Sequence, residues 1–180
     1  SVLVTGAAGF IGSHIIHQLL EAQVGELVVY DNFVRGKRDH LLNYLPDDRV
    51  QVFLDGADIR DTDQLDKAME GVDYVFHTAA MWLLHCKDFP RTVFKVNIEG
   101  TFNVLEACVK HKVKKLVYSS SASVYGDAVE VPMTEEHPFM NKNFYGATKI
   151  ACEAMCRAFY DRYGLDYVGL RYMNVYGPHQ

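Results

Sequence analysis

The chain has 180 residues, of which 49% are hydrophobic and 23% are charged, a composition typical of one globular domain and unlike that of a disordered or collagen-like chain. Its net charge of −5 lacks the basic excess that nucleic-acid-binding proteins use to neutralise phosphates. The sequence has no uninterrupted apolar run of the roughly 18 residues that a membrane span needs. We therefore expect contact neither with nucleic acid nor with a membrane.

Six short apolar runs are predicted to be strands. In chain order they cover residues 2–4, 27–30, 50–54, 74–76, 116–118 and 167–170. Helical spacing of apolar residues predicts helices over residues 11–23, 93–111 and 144–163. Continuous apolar strands with helical segments between most of them are typical of a buried parallel sheet. The sequence predicts a single α/β domain, residues 1–180, with a doubly wound parallel sheet (a Rossmann fold), helices on both faces and one long loop over residues 126–142.

The four cysteines, Cys86, Cys108, Cys152 and Cys156, show no C-x-x-C pair and no spacing typical of zinc ligands. Cys152 and Cys156 are four residues apart in a helical pattern, so they are predicted to share one helix face. Small buried thiols explain this pattern better than a redox pair does. We expect no metal site and a reducing, cytoplasmic environment.

A glycine-rich turn joins the first strand to the first helix. Gly6 permits a tight turn, Gly9 lets the backbone approach a pyrophosphate, and Gly12 allows close packing of helix against strand. The helix N-terminus then offers free N–H groups to phosphates. Asp31 ends the second strand, 31 − 12 = 19 residues after the last glycine, near the ~20 expected for a carboxylate that binds the adenosine ribose. Together these features predict a dinucleotide site.

Asp31 also bears on the choice of cofactor, because a carboxylate there repels a 2′-phosphate and favours NAD over NADP. Three nearby basic residues, Arg35, Lys37 and Arg38, could instead neutralise such a phosphate. A solvated basic loop is the simpler interpretation of these three side chains. We therefore expect NAD.

Seven motifs span nearly the whole chain. They are TGAAGFIG at 5–12, DIRD at 58–61, HTAA at 77–80, VNIEGT at 96–101, SSSASVYG at 119–126, YGATK at 145–149 and RYMNVYGP at 171–178. In this order they resemble the extended short-chain dehydrogenase/reductase family of nucleotide-sugar epimerases and dehydratases. Each motif is modest by itself, but the set is highly specific.

The resemblance implies an NAD site and its residues. The residues implied to bind the cofactor are Gly6, Ala8, Gly9, Phe10, Ile11, Gly12, Asp31, Asn32, Asp58, Ile59, Thr78, Ala79, Ala80, Asn97, Ser119, Tyr145, Lys149 and Tyr172. Asp58 and Ile59 would border the adenine, and Tyr172 would lie near the nicotinamide. Without the resemblance, Asp58 is a solvated turn residue and His77 a core histidine, and the second interpretation stays open.

Tyr145 and Lys149 are four residues apart in a helical pattern and are predicted to lie on one helix face. A nearby ammonium and the positive nicotinamide ring would lower the pKa of the tyrosine, so that it could accept a proton from a sugar hydroxyl. The resemblance matches Ser121 to the catalytic serine or threonine that orients this proton transfer. It also matches Asn174 to a residue that contacts the sugar or its diphosphate, so the implied substrate residues are Ser121, Tyr145 and Asn174.

The residues after Ser121 bear on the reaction. By the resemblance, the 4,6-dehydratases of this family carry Thr-Asp-Glu where this chain has Ser121, Ala122 and Ser123. The two acidic residues that eliminate water are therefore missing from this chain. A 4-epimerase needs neither, because it oxidises the C4 hydroxyl, rotates the 4-keto sugar and returns the hydride to its other face. We therefore expect an epimerase. The alternatives are a reductase or 4-dehydrogenase, a dehydratase-like enzyme, and a non-catalytic NAD-binding scaffold.

The resemblance also implies a substrate, a homodimer and a longer polypeptide. The substrate is expected to be a nucleotide-sugar, with a UDP-sugar favoured, although Trp82 in the Met-Trp-Leu-Leu segment departs from the smaller polar residues usual there. The helices predicted over residues 93–111 and 144–163 resemble the pair through which family members form homodimers. Family members also carry a C-terminal portion that binds the nucleotide, so we expect residues 1–180 to be the NAD-binding part of a longer protein.

Overall fold

A computed structural model describes residues 1–53 and 56–180 of the chain. All its strands lie in one parallel sheet of six strands. They are β1 Val2–Thr5, β2 Leu27–Tyr30, β3 Val50–Phe53, β4 Tyr74–His77, β5 Lys115–Ser121 and β6 Tyr167–Tyr172. The order across the sheet is β3-β2-β1-β4-β5-β6, which confirms the predicted doubly wound fold. The predicted end of the third strand, Leu54, lies outside the described residues.

The sheet is covered on both faces, and this explains why its strands are continuous apolar runs. Successive strand residues point to opposite faces. In β1, Leu3 belongs to one core, which includes Leu105 on the helices of one face, whereas Val4 belongs to a second core with Ile16 on the other face. Neither residue has measurable exposure, so each face of the strand is buried.

Within the described residues, six α-helices accompany the strands. They are α1 Phe10–Glu21, α2 Thr62–Ala68, α3 Leu83–Asp88, α4 Pro90–Val93, α5 Gly100–Lys110 and α6 Phe144–Tyr163. The sequence predicts α1, α5 and α6 but not the short helices α2 and α3, because six or seven residues offer too little periodicity. Asn143 caps α6 by accepting a hydrogen bond from the Gly146 N–H at 2.7 Å, and Gly164 ends it with φ of 72°.

The helix predicted over residues 93–111 is interrupted. Between α4 and α5 the backbone follows a π-helix over Phe94–Glu99, with Asn97 inside it. Such wide turns are uncommon and often occur at functional sites. The three pieces follow one another directly, so the predicted helical segment is present with one wide turn that periodicity did not reveal.

Two long loops, not one, leave the sheet. Residues 126–142 lack helix and strand, as predicted. Residues 31–49 between β2 and β3 also form a loop, with only a short 3-10 turn at Arg38–His40. No helix of the described residues combines the length and the apolar character needed to cross a bilayer.

Candidate active site

The predicted site residues gather at one edge of the sheet, where β1, β2, β4 and β5 end. Because the strands are parallel, their carboxyl ends meet at this edge. The glycine turn follows β1, the Asp31 loop follows β2, and the Thr78 segment follows β4. The serine cluster ends β5, and α6 begins close to its last residue. The fold therefore brings residues from the whole chain to one surface. This surface, bounded by the glycine turn, the Thr78 segment and the serine cluster with the start of α6, is called the groove below.

The glycine turn leaves no room for a side chain at Gly6 or at Gly12. Gly6 has φ of +67°, and a Cβ added to it would lie 2.7 Å from the Ala79 nitrogen. A Cβ on Gly12 would lie 2.1 Å from the Gly6 oxygen, so no larger residue fits there. Helix α1 begins at Phe10 with Gly9 as its N-cap, and no side chain caps its first N–H groups. These groups and the close approach of backbone fit the diphosphate of a dinucleotide.

Asp31 is buried beside this turn. Its carboxylate accepts hydrogen bonds from the Ala8 N–H at 2.9 Å and the Phe33 N–H at 2.7 Å. Burial raises the pKa of Asp31, and the two N–H donors oppose this shift. Each carboxylate oxygen keeps a lone pair that can accept a ribose hydroxyl. Asp31 thus supports the turn, and the Ala8 N–H that binds it is not free for a phosphate.

Asn32 and Asp58 lie together beyond the ends of β2 and β3. The Asn32 amide donates to the Asp58 carboxylate at 3.1 Å, and Arg60 forms an ion pair with it at 2.6 Å. The bonds from Arg60 are the main cause that lowers the pKa of Asp58, so this carboxylate is held as an anion. Asp58 is therefore a fixed acceptor rather than a freely solvated turn residue.

Ile59 differs from its expected role. Its side chain is buried against Gly100 of α5, where a Cβ would lie 2.5 Å from it. Its carbonyl accepts a hydrogen bond from Asn103 at 3.0 Å. The side chain of Ile59 therefore belongs to the core, and its carbonyl is bonded to Asn103, so neither is positioned for the expected contact with a ligand.

The segment after β4 packs directly on the glycine turn. The Thr78 hydroxyl donates to the Thr5 carbonyl at 2.7 Å, and the Ala79 N–H donates to the Thr5 hydroxyl at 3.2 Å. Ala80, the next residue, is half-buried. These contacts fix the floor of the groove between β1 and β4.

His77 is a core histidine. Its ring nitrogens contact the Thr5 hydroxyl at 2.7 Å and the Thr101 hydroxyl at 2.9 Å, and the residue is 1% exposed. Burial, followed by the nearby charge of Lys149, lowers its pKa to about 3. The neutral ring therefore joins two strands and a helix beneath the site.

Asn97 has other partners than the expected cofactor. Its side-chain oxygen accepts from the Met81 N–H at 2.7 Å, and its amide donates to the Met81 carbonyl at 3.0 Å and to the Thr148 hydroxyl at 3.2 Å. The residue is 2% exposed. Asn97 therefore ties the segment after β4 to α6 from the interior, which positions the groove without facing it.

The three expected catalytic residues lie close to one another. The Lys149 ammonium donates to the Ser119 carbonyl at 2.7 Å and lies 5.5 Å from the centre of the Tyr145 ring. The Ser121 hydroxyl accepts from the Ser123 N–H at 3.1 Å and donates to the Ser123 hydroxyl at 3.1 Å. Burial raises the pKa of Tyr145, and the neighbouring Ser121 hydroxyl opposes part of this rise. Helix α6 and the end of β5 thus present a serine, a tyrosine and a lysine together.

The titration of these groups differs from the expectation. Burial raises the pKa of Tyr145 to about 12, and the nearby Cys86 adds to this shift. Burial lowers the pKa of Lys149 to about 8. Lys149 alone therefore does not give the phenolate that the sequence analysis expects, because desolvation outweighs its charge. A second positive charge in the groove is needed to favour that form.

The remaining predicted residues lie toward β6. The Tyr172 hydroxyl is 3.5 Å from the Ser119 hydroxyl, at the limit of a hydrogen bond. Asn174 lies two residues beyond β6 and is exposed. The structure therefore brings Tyr172 to the serine cluster and leaves Asn174 at the surface.

Sequence reasoning missed a charged network behind the serines. Arg171 forms an ion pair with Glu153 at 2.8 Å and donates to the Tyr125 hydroxyl at 2.9 Å. The Ser120 hydroxyl also donates to Glu153. Glu153 lies four residues after Lys149 on α6, so helical spacing could have placed it on the same face. The network occupies Ser120 and fixes Tyr125, leaving Ser119 and Ser121 for the groove.

Comparison with known proteins agrees with this geometry. The family described as the NAD dependent epimerase/dehydratase family matches residues 2–180. This chain belongs to that family. The expected cofactor, NAD, is therefore confirmed as the cofactor of the family, and the fit of the glycine turn and Asp31 agrees with it.

Three relatives of the epimerase/dehydratase family illustrate the likeness. The UDP-glucose 4-epimerase of Halalkalibacterium halodurans is 39% identical over 98% of this chain and 51% of its own length. The UDP-glucose 4-epimerase of Thermus thermophilus, solved in complex with NAD, is 39% identical with a TM-score of 0.89, over 99% of this chain and 57% of that one. A dTDP-glucose 4,6-dehydratase from Streptomyces venezuelae, solved with NAD and TYD, is 34% identical with a TM-score of 0.94, over 99% and 57%.

The chain spans about half the length of the curated relatives it matches. Its matched half carries the sheet, the glycine turn and the Tyr145–Lys149 pair. Epimerases and a dehydratase share this half at similar likeness, so the fold does not separate the two reactions. The distinction depends on individual residues at the end of β5.

Proposed function

We propose that this chain is the NAD-binding part of a nucleotide-sugar 4-epimerase, an isomerase. The observation that carries the proposal is the grouping of Ser121, Tyr145 and Lys149 at the sheet edge that also holds the glycine turn. An NAD-binding scaffold without activity would have no need of a buried lysine beside a buried tyrosine. Burying a lysine lowers its pKa and costs free energy, and a catalytic role explains that cost.

When bound, NAD would accept the hydride from C4 of the sugar and would give it back to the other face of the same carbon. Tyr145 removes the proton from the C4 hydroxyl, since its phenol lies next to Ser121 and Lys149. Ser121 holds the sugar oxygen in line with Tyr145. The hydrogen bond to the Ser119 carbonyl holds the Lys149 ammonium in position, and its positive charge lies near the Tyr145 phenol. For the return step Tyr145 gives the proton back to the oxygen after the 4-keto sugar has turned.

The end of β5 favours epimerisation over loss of water. Ser121 is followed by Ala122 and Ser123, which begin a 3-10 turn and carry no carboxyl group. The nearby Glu153 is engaged by Arg171 and Ser120. Elimination of water needs an acid and a base at adjacent carbons. Neither the residues after Ser121 nor Glu153 offers a free carboxyl for that purpose.

The substrate is proposed to be a UDP-sugar. Support comes from the 4-epimerases among the relatives, which are named for UDP-sugars. Asn174, exposed beyond β6, is the candidate to contact the sugar or its diphosphate. The part that would grip the nucleotide is proposed to lie in a longer polypeptide that contains this sequence.

A homodimer is proposed to form through α5 and α6. Three aromatic residues on these helices are exposed: Phe102, Tyr160 and Tyr163 are 40%, 52% and 58% accessible. Their exposure leaves an apolar surface for a second copy. We infer a reducing cytoplasm as the compartment, because all four cysteines are buried and free. Light scattering of the wild type and of Tyr160→Glu tests the dimer, which should be lost in the variant.

The central test of the function follows both epimers. The full-length polypeptide containing this sequence is incubated with UDP-glucose, UDP-galactose and their N-acetylated forms, and products are separated by chromatography while NADH absorbance is recorded. Epimers without net NADH support the proposal. Release of a 4-keto sugar with net NADH indicates a dehydrogenase, a 4-keto-6-deoxy sugar indicates a dehydratase, and binding of NAD without any product indicates a scaffold.

Tyr145→Phe provides the matched variant, with Tyr74→Phe, an exposed tyrosine at the start of β4, as the control. We expect the first to lose epimerisation by at least about 10²-fold while NAD binding survives, and the second to stay active. Turnover by Tyr145→Phe close to that of the wild type would show that another group is the base.

A further inference from the structure

Arg35 and Trp82 join two loops across the end of β1. The Arg35 guanidinium lies 4.2 Å from the centre of the Trp82 ring. Arg35 belongs to the loop after β2, and Trp82 follows the segment after β4. Because β1 lies between β2 and β4 in the sheet, the two loops flank the glycine turn from both sides. The contact therefore spans the middle of the groove.

The Arg35 side chain extends from a backbone that is fixed to the glycine turn. The Lys37 N–H donates to the Ala8 carbonyl at 3.1 Å. A Cβ added to Gly36 would lie 2.7 Å from the Ala8 Cβ, so the loop touches the turn directly. Arg35 thus begins one residue from the contact with Ala8, close to the first N–H groups of α1.

The Trp82 ring is also held at its edge, by His85. Its indole N–H donates to a His85 ring nitrogen at 3.0 Å, and the His85 ring packs against it edge-on. The preceding residue, Met81, is tied to Asn97 by two hydrogen bonds. Trp82 is therefore a fixed platform, and the guanidinium that rests on it has a set position.

The positive charge of Arg35 acts on the Tyr145 phenol inside the groove. It is among the groups that lower the pKa of Tyr145, against the burial that raises it. Arg35, Lys37 and Arg38 are all exposed, as expected for a solvated basic loop, but the Arg35 guanidinium also lies on the Trp82 ring. Arg38 instead points to the Phe33 ring, 5.2 Å from its guanidinium, on its own loop.

We propose that Arg35, held on the Trp82 ring, is an anion-binding residue that contacts the diphosphate of the dinucleotide over the glycine turn. The proposal rests on the proposed NAD groove. A guanidinium offers two parallel N–H donors that match the oxygens of a phosphate, and stacking on an indole keeps these donors free. The first N–H groups of α1 reach the diphosphate from below, and Arg35 reaches it from the opposite side.

The test compares ligands with and without phosphates. Isothermal titration measures binding of NAD, ADP and adenosine to the wild type and to Arg35→Met, with Arg38→Met as the matched control. We expect Arg35→Met to weaken binding of NAD and ADP by about tenfold or more, the loss typical of one hydrogen bond to a charged group. Adenosine binding should be unchanged, and Arg38→Met should resemble the wild type for all three ligands.

A second measurement uses Trp82, the single tryptophan of the chain. ADP should change the fluorescence of the wild type, whereas in Arg35→Met this change should be much smaller. Trp82→Leu should weaken ADP binding in the same direction as Arg35→Met, and Trp82→Phe should retain most of it because a flat ring remains.

Three outcomes would overturn the proposal: NAD affinity of Arg35→Met within about twofold of the wild type, an equal loss of adenosine binding, or an equal loss in Arg38→Met. If the wild type binds NAD normally and Arg35→Met does so equally well, only the role of Arg35 is rejected. If the wild type does not bind NAD at all, the proposed function fails with it.

Discussion

The Lys149 ammonium is bonded to the Ser119 carbonyl at 2.7 Å, joining α6 to the end of β5 inside the protein. The lysine is 4% exposed. A single backbone oxygen compensates only in part for the water that the ammonium loses. Its lowered pKa follows from this, and it makes the stability of the fold dependent on pH.

The first prediction concerns that dependence. The pKa of Lys149 is about 8 in the folded protein and near 10.5 when exposed, so between these values the unfolded chain binds more protons. The free energy of unfolding should therefore rise with pH from about 8 to 10.5, by on the order of 3 kcal/mol at about 1.4 kcal/mol per pKa unit. Below pH 8 the destabilisation by the buried charge is complete.

Lys149→Met isolates this effect from the tyrosines and cysteines that titrate in the same range. Urea unfolding of the wild type and the variant at several pH values gives the difference in their free energies of unfolding. We expect the wild type to gain stability relative to Lys149→Met as the pH rises through this window. The exposed Lys115→Met should show no such trend, and a flat difference for Lys149→Met would contradict the burial of its charge.

A second prediction tests the glycine turn. Gly12→Ala places a Cβ 2.1 Å from the Gly6 oxygen, so the turn must shift. We expect a loss of several kcal/mol in the free energy of unfolding, typical of overpacking against backbone, together with loss of NAD binding. Gly25→Ala is the control because a Cβ there meets nothing within 4 Å. Thermal unfolding and titration with NAD measure both effects, and equal behaviour of the two variants would contradict the prediction.

A third prediction concerns the choice between NAD and NADP. Asp31 should favour NAD by on the order of 1 to 3 kcal/mol, because a 2′-phosphate would displace a ribose hydroxyl beside a buried carboxylate. Titration of the wild type with each cofactor measures the difference. Asp31→Asn keeps an acceptor for the Phe33 N–H and removes the negative charge, so its preference should shrink. Equal or tighter binding of NADP by the wild type would reject the role of Asp31.

The core histidine gives a fourth prediction. The pKa of His77 is about 3 in the folded protein and near 6.5 in the unfolded chain, so below pH 6.5 the unfolded state binds the extra proton. The free energy of unfolding should fall as the pH decreases from 6.5, by on the order of 2 kcal/mol at about pH 5. His77→Gln should lose this slope, although it is less stable at neutral pH.

The control for His77 is His17→Gln, an exposed histidine paired with Glu21 on α1. Urea unfolding of both variants between about pH 5 and 7 provides the comparison. A wild-type slope that survives in His77→Gln would assign the acid sensitivity to other groups.

Much of the fold could be predicted because it depends on local patterns. Continuous apolar runs identify parallel strands, and the bounds of α6 agree with its apolar spacing and with the cap at Asn143. The glycine turn could be predicted because steric exclusion at Gly6 and Gly12 leaves few alternatives. The positions of Ser121, Tyr145 and Lys149 at one edge follow from the parallel sheet once the strands are known.

Contacts between distant loops could not be predicted. Arg35 and Trp82 are 82 − 35 = 47 residues apart, and no periodic pattern connects them. Asn97 and Ile59 lie in motifs that suggest ligand contacts, yet packing with Met81 and Gly100 turns their side chains inward. The pKa of Tyr145 depends on how deeply the phenol is buried, which a helical spacing does not report.

The π-helical turn over Phe94–Glu99 makes this helix sensitive to a change of one residue in its length. A wide turn of this kind adds one residue to a regular α-helix, so it corresponds to a single-residue insertion. Deleting one residue there would restore regular winding and rotate Asn97 by about 100° relative to α5. Its amide would then leave Met81 and Thr148. Removal of that one residue would therefore detach the segment after β4 from α6.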